Sequence, residues 1–392
     1  FELSTEALAD GLRLSLPDQR LVEVRSAQGR FTPDATWIEG FFLSRERERG
    51  LEEIDHHLRV GHVDIALSRE RWVGIGVALG TLQTLDLATS LAAELARIEA
   101  LSGAALPGVD RAKLPAWIDR LVVAADAYLF RRQAFDGSQS ASVIAGYPWF
   151  GDWGRDTMIA LPGLTLATGR PAVAREILAT FAGFVSEGML PNVFPGDGET
   201  PEYNTVDAAL WFIEAWRTYL DATGDLATIR RVFPTLVRII AAYRTGTCYG
   251  ITMDPADGLI RAGEPGQQLT WMDARADGRE VTPRHGKPVE INALWFNALR
   301  CMQGFAEQIG APPDAFADLA GKTAIGFARF DRGDSGGLFD VIDGPDGDDP
   351  SIRPNQILAL SLPHSPVKND ALRQRIIEEW RNAAPEEIPW DN

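Results

Sequence analysis

Two periodicities divide the chain. Before about residue 80, apolar and polar positions alternate in short runs at 12–16 and 20–25, and residues 71–78 are rich in Val, Ile and Trp between glycines. That pattern predicts strands with one buried face. Residues 82–101 change to a helical period, closed by Ser102, Gly103 and Pro107. From Pro115 onward nearly every periodic segment is helical. The stretch 114–132 carries Trp117, Leu121, Val122, Ala125 and Leu129 on one stripe, and 172–185 repeats the spacing through Val173, Ile177, Phe181 and Phe184 before Gly188 and Pro191. Leu210, Ile213, Trp216 and Leu220 do the same in 206–220, and 226–243, 288–309, 313–330 and 368–382 follow. Each is a helix with one apolar face. Between them lie loops dense in Gly, Pro, Asp and aromatic residues, at 145–156, 191–204, 252–285 and 331–355.

No short fixed period repeats, so a solenoid of identical units is excluded. Helix alternating with long decorated loop predicts antiparallel helical hairpins with one set of loops gathered on one face. Closed into a ring, such hairpins make an α/α toroid. The expected organisation is a β-rich segment at 1–80, a linking helix region at 81–112 and an α/α barrel at 113–392.

Composition narrows the function. The 392 residues are 45% hydrophobic and 24% charged, ordinary for a globular chain. Against 38 basic side chains stand 55 acidic ones, a formal charge of −17. A basic field is what nucleic-acid phosphate requires, so a nucleic-acid partner is not expected, and a neutral ligand fits. No uninterrupted apolar run reaches the roughly 18–20 residues of a membrane span. Cys248 and Cys301 are far apart, which argues against a disulfide framework and for a reducing, cytoplasmic setting. Cysteine and histidine show no metal-ligand spacing, and no signal peptide is visible at Phe1. Phosphate-cradling glycine motifs and the GxSxG elbow are absent from the sequence. Eleven tryptophans with 37 glycines and 24 prolines suit loops that present aromatic surfaces.

The densest chemistry lies between Tyr147 and Asp156, where Trp149, Phe150, Asp152, Trp153 and Arg155 stand in one glycine-punctuated run. Sugars pack their C–H faces on aromatic rings and pair their hydroxyls with carboxylates and guanidinium groups. The alternative is that Trp149 and Trp153 plug a barrel end while Arg155 and Asp156 pair and cap a helix. In 199–207, Asn204 or Thr205 is the expected N-cap, which puts Asp207 in the first turn of the next helix. Asp273 follows Trp271 and Met272, neighbours that would disfavour its ionised form, and a buried structural Asp is the competing reading. Arg284 and His285 occupy a loop and Glu290 a helix start, either as structural groups or facing a ligand. The acid-rich run 340–349 lacks the register of a calcium loop and reads as solvated.

Four segments in order, 145–164 (AGYPWFGDWGRDTMIALPGL), 188–207 (GMLPNVFPGDGETPEYNTVD), 269–292 (LTWMDARADGREVTPRHGKPVEIN) and 353–355 (RPN), resemble the C-terminal glucosidase module of glycogen debranching enzymes, the amylo-α-1,6-glucosidases. The resemblance spans roughly 37–362. It implies an (α/α)6 barrel preceded by a β-rich domain, and hydrolysis of the α-1,6-linked glucose left at a branch of a glycogen-like glucan. By that resemblance Asp273 looks like the general acid of an inverting mechanism, with no cofactor. Trp153, Arg155 and Asp156 are similar to the residues by which related glucoamylases hold a terminal glucose. Tyr147, Trp149, Asp152, Asn192, Asn204, Asp207, Trp271, Arg284, His285, Glu290, Arg353 and Asn355 fall in matched motifs as pocket residues. The family's β domain is larger, and its motifs run on past Arg353-Pro354-Asn355 to the expected general base. The N-terminal domain is therefore expected to be short, the barrel incomplete, and the base outside this chain. The competing functions are α-1,4 hydrolysis of glucoamylase type and a glycan-binding module without catalysis.

Overall fold

The computed structural model describes residues 4–69, 72–82, 86–110, 113–133, 139–147, 150–194, 200–276, 278–333 and 336–383. They form two compact units, Phe1–Ala100 and Leu101–Asn392.

The first unit is strand-rich, as the alternation predicts. Strands β1 (Ser4–Leu8), β2 (Gly11–Ser15) and β3 (Leu21–Arg25) form an antiparallel meander, and β6 (Gly76–Leu79) pairs with β3. Leu12 and Leu14 are buried on one face of β2, while the intervening Arg13 reaches the buried Glu23 carboxylate at 2.7 Å. A long hairpin, β4 (Gly29–Phe42) with β5 (Ile54–Ile65), leaves Trp37, Ile38, Phe41 and Phe42 exposed, and the short helix α1 (Ser44–Glu48) lies between its strands. Among the described residues 72–78 of the run at 71–78, only 76–78 are strand.

Helix α2 (Leu87–Ala104) begins later than its pattern suggested, at Leu87. The predicted helix at 114–132 is corrected. Helix α3 covers Trp117–Ala127 only, and Leu129–Gln133 is strand β7. Leu129 pairs with Val143 of β8 (Gln139–Gly146), so ladder pairing overrides the helical spacing there. Strand β9 (Phe150–Trp153) adds to β8, and β10 (Val193–Phe194) adds to β9. In the segment at 145–156, expected to be loop, residues 145–146 and 150–153 thus belong to inner strands of a small sheet, and 154–156 open a helix.

Helices dominate the rest of the second unit, with short strand pairs between them: α4 (Gly154–Leu161), α5 (Pro171–Gly183), α6 (Ala208–Thr223), α7 (Leu226–Thr245), α8 (Val289–Ile309), α9 (Asp314–Phe327), α10 (Asn355–Ser361) and α11 (Asp370–Ala383). Every residue from Val289 to Leu299 is buried, so the first three turns of α8 are enclosed on all sides, and exposure returns only toward its C-terminus. Its polar side chains are satisfied. Asn292 bonds Ile260 in both directions, and the Trp295 indole donates to the Gly258 carbonyl. Tyr243 of α7 stacks on Trp295, and its hydroxyl donates to the Val206 carbonyl at 2.8 Å. Two helices meet at a tight corner, where Gly224 at φ +66° ends α6 and Asp225 caps α7.

The Asp225 carboxylate accepts from the Thr228 amide at 3.0 Å and from the hydroxyls of Thr228 and Tyr219. These bonds to its charged form, the Thr228 hydroxyl first, lower its pKa from 3.8 to about 2. A lowered acid pKa gives stability that is present above the ordinary value and lost as pH falls toward 2. Asp225→Ala is expected to cost about 1 kcal/mol near neutral pH, and the deficit should shrink as pH falls below about 4. Denaturant midpoints of both proteins at pH 6 and pH 3 check this. An equal deficit at both values would exclude the charged cap.

Candidate active site

The site is built where helix starts face the loops. Strand β9 delivers the chain directly into α4, placing Arg155 in the first turn. Gly154 is required by crowding: its N–H donates to the Asn192 carbonyl at 2.8 Å, and a Cβ there would stand 2.0 Å from the Pro191 carbonyl oxygen. Gly154→Ala is expected to cost about 1–3 kcal/mol through backbone displacement, read as a lower unfolding midpoint together with a higher KM. An unchanged midpoint would show that the contact relaxes freely.

Arg155 is buried and reaches three other side chains. Its Nε donates to Asp207 at 2.7 and 2.9 Å, its Nη2 to the Thr205 hydroxyl at 3.2 Å, and its Nη1 lies 3.7 Å from the Asp273 carboxylate. Burial alone would lower the guanidinium pKa, but Asp207 above all raises it, so the cation is held firmly. Asp207 is 2% exposed and accepts a further bond from Thr205 at 2.6 Å. The helix begins at Ala208, so Asp207 is its N-cap position rather than a first-turn residue, and its side chain makes no cap bond. Its charge faces Arg155 instead.

The enclosure expected for Asp273 is corrected: its side chain is 43% exposed, and Trp271 is 45% exposed. Asp156 is exposed at the start of α4. Loss of hydration still pushes its pKa up, Arg155 opposes this, and Asp207 and Asp273 add like charge. Two exposed carboxyls, Asp156 and Asp273, therefore interact electrostatically with one buried guanidinium.

A second network holds the later motifs. Arg284 is buried against Glu290 and Asp340, donating to Asp340 at 2.8 and 3.0 Å and to Glu290 through both terminal nitrogens. Burial raises the pKa of Glu290 while Arg284 opposes the rise. Arg353 donates to Asp340 at 2.6 Å and Asp349 at 2.7 Å. Asn355 donates to Asp340 at 2.7 Å and accepts the Trp271 indole N–H at 2.7 Å. Trp271 belongs to this network and Asp273 to the Arg155 cluster, so the Thr270–Asp273 turn joins the two.

The remaining residues lie at varied distance. Asn192 is buried, donates to the Asn204 amide oxygen at 3.2 Å, and has a buried Oδ1 without a hydrogen-bond partner. Asp152 is enclosed by Arg132 at 2.7 Å, Ser142 and Thr157, so its oxygens are taken up inside the sheet. The Tyr147 hydroxyl donates to the Ala127 carbonyl. Trp153 meets Phe150 edge-on, and His285 Nε2 lies 3.3 Å from Glu280. Trp149 lies outside the described residues.

Asp340 was missed. In the run 340–349 residues 345–348 are exposed as a solvated loop predicts, but three aspartates depart from that reading: Asp340 is 2% exposed, Asp349 pairs with Arg353, and Asp343 pairs with Lys287 and Arg329. The Lys287 ammonium sits 2.7–2.8 Å from Asp254, Asp257 and Asp343, occupying the position between those carboxylates. No local signal distinguished Asp340 from its acidic neighbours.

The second unit is thus mainly helical and carries two ionic networks at its helix starts. In backbone the chain is similar to the GH78 family rhamnosidase of Bacillus sp. GL1, with TM-score 0.52, 15% identity, 98% of this chain and 39% of that one covered. A rhamnosidase from Klebsiella oxytoca with rhamnose bound aligns with TM-score 0.48 at 15% identity, over 98% of this chain and 73% of that chain. The chain belongs to the amylo-alpha-1,6-glucosidase family, whose model matches residues 123–383. It is 28% identical to the glycogen debranching enzyme of Saccharomyces cerevisiae over 42% of this chain, and spans 14% of that relative's length. Among the described residues no helix is long and apolar enough to cross a membrane.

Proposed function

We propose that the chain is a glycoside hydrolase that removes α-1,6-linked glucose from branched glucans or oligosaccharides, on an (α/α)6 barrel. The observation that carries this reading is the Arg155 cluster. Its guanidinium is held by Asp207, while the exposed Asp156 and Asp273 interact electrostatically with it. A pyranose placed there meets a cation for one pair of hydroxyls and a carboxyl for the glycosidic oxygen.

Asp273 is the proton donor in this scheme. Asp207 is unsuited to activating water, because Arg155 and Thr205 already engage both of its oxygens. Inversion requires a second carboxylate roughly 6.5–9.5 Å from the acid, on the opposite face of the sugar. Trp271, anchored by Asn355, offers an indole face beside the leaving group.

Glucose release from a branched limit dextrin, compared with linear maltooligosaccharide, tests the reading, and the anomer formed first reports the stereochemistry. Preferential release of β-glucose from the branched substrate supports it. Preference for the linear chain would favour α-1,4 hydrolysis, and binding without release would favour a glycan-binding module.

A further inference from the structure

Asp273 stands at the foot of a short two-stranded hairpin, in which Arg275–Ala276 pairs with Arg279–Glu280. The Val281 amide extends the ladder by donating to the Ala274 carbonyl at 3.1 Å, so the backbone next to Asp273 moves with the hairpin. Two strands of this length are marginally stable alone and need an anchor on the body of the protein. Among the described residues from Asp273 to Val281, Glu280 alone is drawn inward, and the others are exposed.

Glu280 meets His285. Its carboxylate lies 3.3 Å from His285 Nε2, and the two side chains are 13% and 17% exposed. His285 is a fixed post. It follows Arg284, whose guanidinium is locked against Glu290 and Asp340, and it precedes Gly286, which exchanges backbone bonds with Ala262 at 2.8 and 3.0 Å. Its ring sits against Gly263, where φ is +109° and a Cβ would stand 2.8 Å from the ring. The other ties of the hairpin run to backbone: Gln268 donates to the Ala274 carbonyl at 3.4 Å, and Arg275 to the Gly266 carbonyl.

The contact is not built for stability. Glu280 Oε1 and His285 Nε2 are both buried without a hydrogen-bond partner, and a buried polar atom left unpaired costs stability. Nor is it built to hold a sugar, since the two enclosed side chains meet each other while Asp273, at 43% exposure, meets solvent. What the pair fixes is where the hairpin foot lies, and through it how the Asp273 carboxyl is aimed.

We propose that Glu280 and His285 are positioning residues that hold the Asp273 carboxyl in line for proton transfer. The proposal rests on the glucosidase reading above, in which Asp273 is the acid. Glu280→Ala in the full chain tests it. Glucose release from a branched limit dextrin is measured beside hydrolysis of a glucoside with an activated leaving group, which needs little protonation. On the dextrin kcat is expected to fall about tenfold with KM little changed, within the range that a displaced catalytic group produces. Most of that loss should return on the activated substrate. In an Asp273→Asn background the same substitution should cost nothing further, because residues that act as a unit are not additive. His285→Ala, at the other end of the contact, should repeat the pattern. Both variants should unfold near the wild-type temperature, because the contact supplies no hydrogen bond. An undiminished kcat, an equal loss on both substrates, or a loss that multiplies with that of Asp273→Asn overturns the proposal and leaves the glucosidase reading standing. Full turnover by Asp273→Asn itself overturns both.

Discussion

Asp273→Asn is expected to lower glucose release from a branched limit dextrin by about 10²–10⁴-fold, the usual contribution of a positioned general acid. Its effect on folding should be small. The Asp273 side chain is 43% exposed and its nearest cation, Arg155 at 3.7 Å, keeps Asp207 as a closer partner. Exposed ion pairs contribute about 0–1 kcal/mol. Thermal unfolding therefore moves by a degree or two at most while turnover collapses, and a substrate with an activated leaving group, which needs little protonation, should recover part of the rate. Full turnover in this variant would place the acid elsewhere and remove the central assignment.

Arg284→Met should have the largest effect on stability. Arg284 and its partners Glu290 and Asp340 are each about 1% exposed at the side chain. Removing Arg284 leaves Glu290 buried without a counter-charge and Asp340 with Arg353 alone, at a cost of about 3–5 kcal/mol. Combining it with Glu290→Gln and Asp340→Asn should restore a measurable part of the loss, because a neutral set carries no unpaired charge. Denaturant unfolding of the single and triple variants reads both effects. A single-variant loss below about 1 kcal/mol would mean that water reaches the site.

The helical half of the fold was legible because long amphipathic runs report directly on burial. Segments 206–220 and 226–243 correspond to helices that begin and end within a few residues of their patterns. Leu129 shows where that reasoning fails. Its spacing matches a helix stripe, but strand pairing with Val143 decides, and that partner is not visible in local sequence. The candidate site divides in the same way. Arg155, Asp207 and Asp273 come from three separate motifs, and the structure brings them within reach of one guanidinium. Asp340 stayed hidden because an aspartate in an acid-rich run gives no sign of its burial. Only the convergence of Arg284, Arg353 and Asn355 distinguishes it.

The chain of bonds from Glu290 through Arg284, Asp340 and Asn355 to Trp271 bears on how such a protein can be re-engineered. Segments that are distant in sequence are keyed to one another, so grafting any one of them from a relative breaks the register of the others. They must be exchanged as a set.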